Sequence, residues 1–132
     1  MACSIRTHCA MNGIDFLADT NILIYILEGH PGVKSILPYS FALSVISEIE
    51  LLGKTGILEE EIEAIRDLLN DCTLIELSET IKTRAIQLKQ KQKIRLPDAI
   101  IAATAIEFSL PLVTADKRLE KIEGLNCLVL EL

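Results

Sequence analysis

The most constraining feature of the sequence is the apolar stretch at residues 16–27, which is interrupted once by three polar residues, Asp19-Thr20-Asn21. The apolar residues before Asp19 predict a strand buried on both faces, and those after Asn21 predict a helix packed on that strand. Asp19 then lies where the strand ends, at the sheet edge where open α/β proteins bind ligands. The alternative is that Asp19 or Thr20 only caps the helix, since both side chains accept hydrogen bonds from unpaired backbone N–H groups.

The alternation of short apolar runs with amphipathic segments continues along the chain. Strands are predicted at 16–18, 41–45, 72–77, 110–113 and 127–132. Helices are predicted at 22–27, 48–54, 59–70, after Ser78 and at 98–108. The core must consist of Ile, Leu, Val and Ala, because only 4% of the residues are aromatic, and this composition suits helices packed on a parallel sheet. We therefore predict an α/β fold, a three-layer α/β/α sandwich around a mainly parallel sheet of about five strands.

The length of 132 residues predicts one domain with a substantial core. We expect residues 1–14 to form a poorly ordered N-terminal extension and residues 15–132 to form the domain. No apolar run approaches the length of about 18 residues that a membrane span needs, and no secretory signal is recognisable. The cysteines show no metal-site spacing, so we expect them to be reduced in a cytoplasmic protein, with a Cys3–Cys9 disulfide as the less favoured alternative.

Acidic residues stand at several strand-to-helix junctions. They are Asp19 after the first strand, Glu48 or Glu50 after the second, Asp98 at the start of the last helix, and Asp116 after the fourth strand. Because all such junctions lie on one edge of a parallel sheet, we expect these carboxylates to converge. Each has a structural alternative: Asp98 as a helix cap, Asp116 as a turn residue, and Glu50 in a capping box with Ser47.

Carboxylates gathered in one pocket repel each other, and some would stay protonated without a counter-charge. A hard divalent cation such as Mg²⁺ or Mn²⁺ removes this difficulty, since it prefers oxygen ligands, whereas the lack of Cys or His partners disfavours zinc. Such an ion lowers the pKa of a bound water and stabilises charge on a phosphodiester. The side chains of Asn21 and Thr114 are candidates for orienting a ligand or that water.

Four motifs follow one another in a definite order. They are Asp19-Thr20-Asn21, Ser44-Val45-Ile46-Ser47 with Glu50-Leu51, Asp98 to Ala105, and Val113-Thr114-Ala115-Asp116. Together they resemble the signature of PIN domain ribonucleases, and most nearly that of the VapC-like toxins of type II toxin–antitoxin pairs. The resemblance covers roughly residues 15–132 and implies a PIN-like fold.

The resemblance also implies a function, that of a Mg²⁺- or Mn²⁺-dependent endoribonuclease that cuts single-stranded or structured RNA. By this resemblance Asp19, Glu50, Asp98 and Asp116 hold the metal and position the attacking water, with Glu48 as the alternative second acid. Asn21 and Thr114 fall on positions that support the site. An antitoxin protein is the implied partner, and we also expect a homodimer with no membrane association.

Basic residues are concentrated just before Asp98, although the net charge of the chain is −6. They are Lys82, Arg84, Lys89, Lys91, Lys93 and Arg95. A solvated helix face is the usual explanation for such a strip. Because the strip ends three residues before Asp98, its last members, Lys91, Lys93 and Arg95, are candidates for contacts with RNA phosphates.

Two other α/β classes fit the sequence less well. Hydrolases of the haloacid dehalogenase type carry the motif Asp-x-Asp after the first strand. The corresponding residues here are Asp19-Thr20-Asn21, so the second acid of that motif is missing. A response-regulator receiver needs an Asp at the end of the third strand, which here reads Glu76-Leu77. A PIN-like module that binds RNA or protein without cutting stays open, because a fold does not fix a function.

Overall fold

The computed structural model describes residues 13–132. Its strands are β1 (Phe16–Ala18), β2 (Phe41–Ser44), β3 (Thr73–Ile75), β4 (Leu112–Thr114) and β5 (Cys127–Val129). Its α-helices are α1 (Thr20–Leu27), α2 (Val45–Leu52), α3 (Glu59–Asn70), α4 (Glu79–Lys91) and α5 (Leu96–Glu107), and 3₁₀ helices cover Pro31–Ile36 and Lys117–Lys121. Cys3, Cys9 and nearly all of the expected extension at 1–14 lie outside the described residues.

The five strands form one parallel sheet in the order β3-β2-β1-β4-β5. Strand β1 is central, so that Leu17 is paired with Ala42 of β2 on one side and with Leu112 of β4 on the other. The chain builds the sheet in one direction from β1 to β3 and then returns to add β4 on the opposite side. The edge between the carboxyl ends of β1 and β4 is therefore the topological switch point, where open α/β sheets bind ligands.

Helices cover both faces of this sheet, which confirms the predicted three layers. Leu17 and Leu112 pack in the core beneath α4 and α5, whereas the next residues of the same strands, Ala18 and Val113, pack in the core beneath α1, α2 and α3. This alternation is the period of two expected of a strand buried on both faces. Helix α5 is buried over most of its length, as its nearly continuous apolar sequence predicts.

Three helices begin earlier than the sequence predicts. Helix α1 begins at Thr20, two residues before the predicted start. Helix α2 begins at Val45, and its N-cap is Ser44, whose Oγ accepts a hydrogen bond from the Ile46 backbone N–H at 3.1 Å. The predicted cap Ser47 is instead a fully buried residue inside α2, because the chain turns directly from β2 into the helix. Helix α5 begins at Leu96, two residues before the predicted start.

The third strand is shorter than the predicted 72–77. It pairs only with β2, over the three residues Thr73–Ile75, because it lies at the edge of the sheet. Among the described helices, none has the length and apolarity that a membrane crossing requires.

Candidate active site

Asp19 lies at the switch point and is almost completely buried, with 7% of its surface exposed. It is the N-cap of α1, and its Oδ1 accepts a hydrogen bond from the Ile22 backbone N–H at 2.9 Å. Burial raises the pKa of this carboxyl, and the negative charges of Asp98 and Asp116 raise the pKa further. Hydrogen bonds from the Thr114 hydroxyl and the Ile22 N–H oppose that rise. Asp19 thus caps α1, and the charges of two other predicted acids raise its pKa.

Asp98 is the third residue of α5 and does not cap the helix, whose N-cap is Arg95 without a side-chain cap bond. Its Oδ2 lies 3.3 Å from Arg95 Nε, and 20% of its side chain is exposed. The alternative in which Asp98 serves as the cap is therefore wrong, because the helix begins before it. Its carboxylate lies close enough to Asp19 for its charge to contribute to the raised pKa of that residue.

Asp116 follows β4 and is the N-cap of the second 3₁₀ helix. Its Oδ1 accepts from the Arg118 backbone N–H at 2.9 Å, and the Arg118 guanidinium binds both carboxylate oxygens, with Nε at 3.0 Å from Oδ1 and the terminal nitrogen at 2.8 Å from Oδ2. This guanidinium lowers the pKa of the Asp116 carboxyl. Asp98 and Asp116 are therefore each paired with an arginine, whereas Asp19 is not.

The second predicted acid, Glu50, reaches the start of α1. Its Oε1 accepts a hydrogen bond from Thr20 Oγ1 at 2.6 Å, and the same hydroxyl lies 2.8 Å from Ser47 Oγ. Glu50 forms no capping box, because its partner is Thr20 and Ser47 is not the N-cap. The contact brings Glu50 beside the residue that follows Asp19. Within residues 13–132 the alternative acid, Glu48, makes no such side-chain bond, so the geometry favours Glu50.

The two predicted supporting residues differ in their surroundings. Thr114 is fully buried, its Oγ1 accepts a hydrogen bond from the Asp116 backbone N–H at 3.0 Å, and its hydroxyl acts on the Asp19 carboxylate. Thr114 therefore connects two of the acids. Asn21 is an exposed residue in the first turn of α1, and its amide forms no hydrogen bond within the part of the chain that the structure describes.

A cleft of about 340 Å³ opens next to Asp98 and Asp116, and both carboxylates line it. Its rim carries three cationic side chains, Lys93, Arg95 and Arg118. Its floor is apolar and consists of Ile94, Leu119 and Ile122. Two of the three basic residues predicted to contact RNA, Lys93 and Arg95, thus reach the site.

The third basic residue, Lys91, does not line the cleft and faces Glu123 at 4.0 Å. Arg118 also lines the cleft, although it lies outside the basic strip and the sequence pattern did not predict it. The signal for Arg118 was its position two residues after Asp116, at the start of a turn where both side chains can face the same way.

The atoms that these acids offer are of the type that a hard divalent ion prefers as ligands. Asp19, Asp98 and Asp116 offer only carboxylate oxygens, and Asp19 is a buried acid that two like charges destabilise. In residues 13–132, however, no three His, Cys, Asp or Glu side chains are arranged to hold one ion together. Arg95 and Arg118 are the present counter-charges of two of the acids, and an ion that binds here must replace them.

The fold and this edge agree with a known family. The model of the PIN domain family matches residues 16–125, which is most of the chain. The chain belongs to the PIN domain family. The resemblance that the four motifs predicted is thereby confirmed. A comparison with curated proteins gives no match.

Solved structures similar to this PIN domain include chains of toxin–antitoxin systems. A chain of the toxin–antitoxin complex from Klebsiella pneumoniae is 34% identical, with a TM-score of 0.73, over 84% of this chain and 95% of that one. VapBC-1 from nontypeable Haemophilus influenzae is 26% identical, with a TM-score of 0.72, over 88% and 98%. VapBC2 from Rickettsia felis, bound to a DNA fragment from its promoter, is 22% identical, with a TM-score of 0.79, over 89% and 100%.

Proposed function

We propose that this PIN domain is a Mg²⁺- or Mn²⁺-dependent endoribonuclease and the toxin of a toxin–antitoxin pair. The observation that carries the proposal is the position of Asp19 and Asp116 directly after β1 and β4, on either side of the switch point, with Asp98 and Asp116 lining the adjoining cleft. Burial raises the pKa of Asp19, and the charges of Asp98 and Asp116 add to that rise. Membership of the PIN family supports a nuclease. The likeness to chains from toxin–antitoxin complexes supports an antitoxin partner.

In this proposal Asp19, Asp98 and Asp116 hold the divalent ion. When bound, the ion lowers the pKa of a water and stabilises negative charge on the phosphodiester. The cap bond from the Ile22 N–H holds the Asp19 carboxylate, and the Thr114 hydroxyl, which lowers the pKa of Asp19, accepts a hydrogen bond from the Asp116 backbone N–H. These contacts keep the acids in one geometry before RNA arrives, which is how a preorganised site lowers the cost of reaching the transition state.

Glu50 and the basic side chains complete the proposed site. The hydrogen bond from Thr20 occupies Glu50 Oε1 and leaves Oε2 to orient the attacking water. Lys93 and Arg95, on the rim of the cleft, bind phosphates of the RNA strand. Glu48 has no role in this arrangement.

The test is digestion of short single-stranded RNAs and of a structured RNA with Mg²⁺, with Mn²⁺ or with EDTA. We expect cutting with either metal and none with EDTA. Asp98→Asn should abolish the cutting without unfolding the protein. Asp67→Asn, on the exposed surface of α3, is the matched control and should cut like the wild type. Equal cutting by wild type and Asp98→Asn would show a contaminating nuclease.

A binding module without catalysis is the second candidate. The arginine pairs favour it, because Arg95 and Arg118 neutralise two carboxylates without an ion. If the wild type binds RNA or a partner protein but cuts no RNA under any of the metal conditions, this second function is the correct one.

The antitoxin part of the proposal has its own test. We propose that the protein acts in the cytoplasm, as a homodimer, and that the reading frame next to its gene encodes the partner. Expression of the PIN domain alone should arrest growth, and co-expression of the neighbouring protein should restore growth. Arrest that persists with Asp98→Asn would contradict RNA cutting as the cause of toxicity.

A further inference from the structure

We infer that the cleft beside Asp98 and Asp116 binds one nucleotide of the RNA, and that Arg118 is the side chain that holds its phosphate. The inference deepens the proposed function and rests on it. The sequence singled out neither this cleft nor Arg118.

The shape and lining of the cleft fit a nucleotide. Its volume of about 340 Å³ is near the lower end of the roughly 300–1,000 Å³ typical of small-molecule sites, so it admits one nucleotide and no duplex. The apolar floor of Ile94, Leu119 and Ile122 can cover the face of a base. Leu119 and Ile122 are only 6% and 4% exposed, so this floor is anchored in the core.

The charges on the rim fit a phosphate. Three cationic side chains line the cleft against two carboxylates, which is a net positive lining on a chain whose net charge is −6. Among the ion-paired side chains that line the cleft, Arg118 is the most accessible, with 82% of its side chain exposed against 70% for Arg95. A planar guanidinium binds phosphate oxygens in the same two-pronged manner in which it now binds the carboxylate of Asp116.

The pairing of Arg118 with Asp116 implies an exchange of partners. In the free protein the guanidinium balances the charge of Asp116. If Asp116 held a divalent ion, the charge of Asp116 would no longer need the Arg118 guanidinium, which would then be available to bind a phosphate in the cleft. The two events favour each other, and by linkage an ion that promotes nucleotide binding is itself bound more tightly when the nucleotide is present.

Fluorescence anisotropy with a labelled 2′-O-methyl RNA oligonucleotide, checked on a gel for integrity, tests this inference with Mg²⁺ and with EDTA. We expect tighter binding by the wild type with Mg²⁺. With Mg²⁺, Arg118→Gln should raise the Kd about tenfold, the effect of losing one charge-assisted contact. The slope of log K against log salt should fall by about 0.7, the value for one phosphate contact to a single strand. Arg118→Lys should restore part of the affinity, because the charge returns without the fork.

Arg84→Gln is the matched control. Like Arg118, Arg84 is an arginine paired with an acid, here Glu107 at 3.0 Å, but it does not line this cleft. If Arg118→Gln and Arg84→Gln bind the oligonucleotide equally well while the wild type cuts RNA, the inference is wrong and the proposed function stands. If the wild type binds RNA with the expected dependence on Arg118 but cuts none, the nucleotide site stands and the nuclease does not. If the wild type neither binds nor cuts, both fail.

Competition tests the floor of the cleft separately. A nucleoside 5′-monophosphate should displace the labelled oligonucleotide at a much lower concentration than ribose 5-phosphate, because only the former has a base to cover the floor. Equal competition by the two compounds would overturn the assignment of a base to Ile94, Leu119 and Ile122.

Discussion

The hydrogen bonds of Thr20 make a quantitative prediction. Its Oγ1 contacts Glu50 Oε1 at 2.6 Å and Ser47 Oγ at 2.8 Å. Thr20→Val has nearly the same volume and removes both bonds. The Ser47 hydroxyl is fully buried, with no other side-chain bond in residues 13–132, so it would be left without a partner. A buried polar group without a partner costs about 1–3 kcal/mol, and we expect a net loss of about 1–2 kcal/mol in the free energy of unfolding.

Urea unfolding followed by circular dichroism measures this loss. With a slope of about 2 kcal/mol/M, in the middle of the usual range for urea, the midpoint for Thr20→Val should fall by about 0.5–1 M. Ser47→Ala alone should cost less, because Thr20 keeps its bond to Glu50. The double variant Thr20→Val/Ser47→Ala should recover much of the loss, since replacing both partners by apolar groups is nearly neutral. Thr20→Ser, which keeps the hydroxyl, should stay close to the wild type.

A double-mutant cycle on positions 20 and 47 can refute the Thr20–Ser47 contact. A coupling energy of at least about 0.5 kcal/mol between positions 20 and 47 is expected for groups in contact. If Thr20→Val is as stable as the wild type, or if the double variant loses the sum of the two single losses, Thr20 does not hold Ser47 as described. The proposed position of Glu50 would then lack its support.

Three further predictions follow from burial and charge. The pKa of Asp19 is raised in the fold, so the native state holds its proton over a pH range in which the unfolded chain has lost it, and stability falls as pH rises through that range. In EDTA, Asp19→Asn should therefore melt at a higher temperature than the wild type at neutral pH, with the gap closing toward acid pH; a lower melting temperature at neutral pH would contradict this sign. Mg²⁺ or Mn²⁺ should raise the melting temperature of the wild type in a concentration-dependent manner, and should raise that of Asp19→Asn much less. Equal shifts in the two proteins would show that the metal ion binds at a site that does not include Asp19. Leu43→Ala, at a fully buried position of β2, should cost about 2–5 kcal/mol by urea unfolding. Leu77→Ala, at a side chain that is 48% exposed, should stay within about 0.5 kcal/mol, and a similar loss in both variants would contradict the assigned core.

The parts of the site that the sequence predicts are those that depend on strand ends. Asp19 and Asp116 follow apolar runs, and in a parallel sheet the ends of such runs must meet at one edge. Asp98 could be placed because Pro97 marks the first turn of a helix that is apolar nearly all round. These inferences need only the period of the apolar residues and the direction of the strands.

Contacts between helices could not be predicted in the same way. Thr20 and Glu50 are thirty residues apart, and their bond depends on how α1 and α2 lie against each other on the sheet. The start of α2 was misplaced because Ser44 and Ser47 are equally good caps by residue type, and only the end of β2 decides between them. The pairing of Arg118 depends on side-chain torsions at an exposed position, which residue order does not determine.

The central position of β1 between β2 and β4 affects how the protein folds during its synthesis on the ribosome. The strand that completes the surroundings of Asp19, β4, is synthesised nearly a hundred residues after Asp19 itself. Pairings so distant along the chain form late, since the intervening segment must first be synthesised and ordered. A nascent chain that ends before residue 98 therefore carries Asp19 without Asp98 or Asp116, and it does not hold the assembled acidic edge.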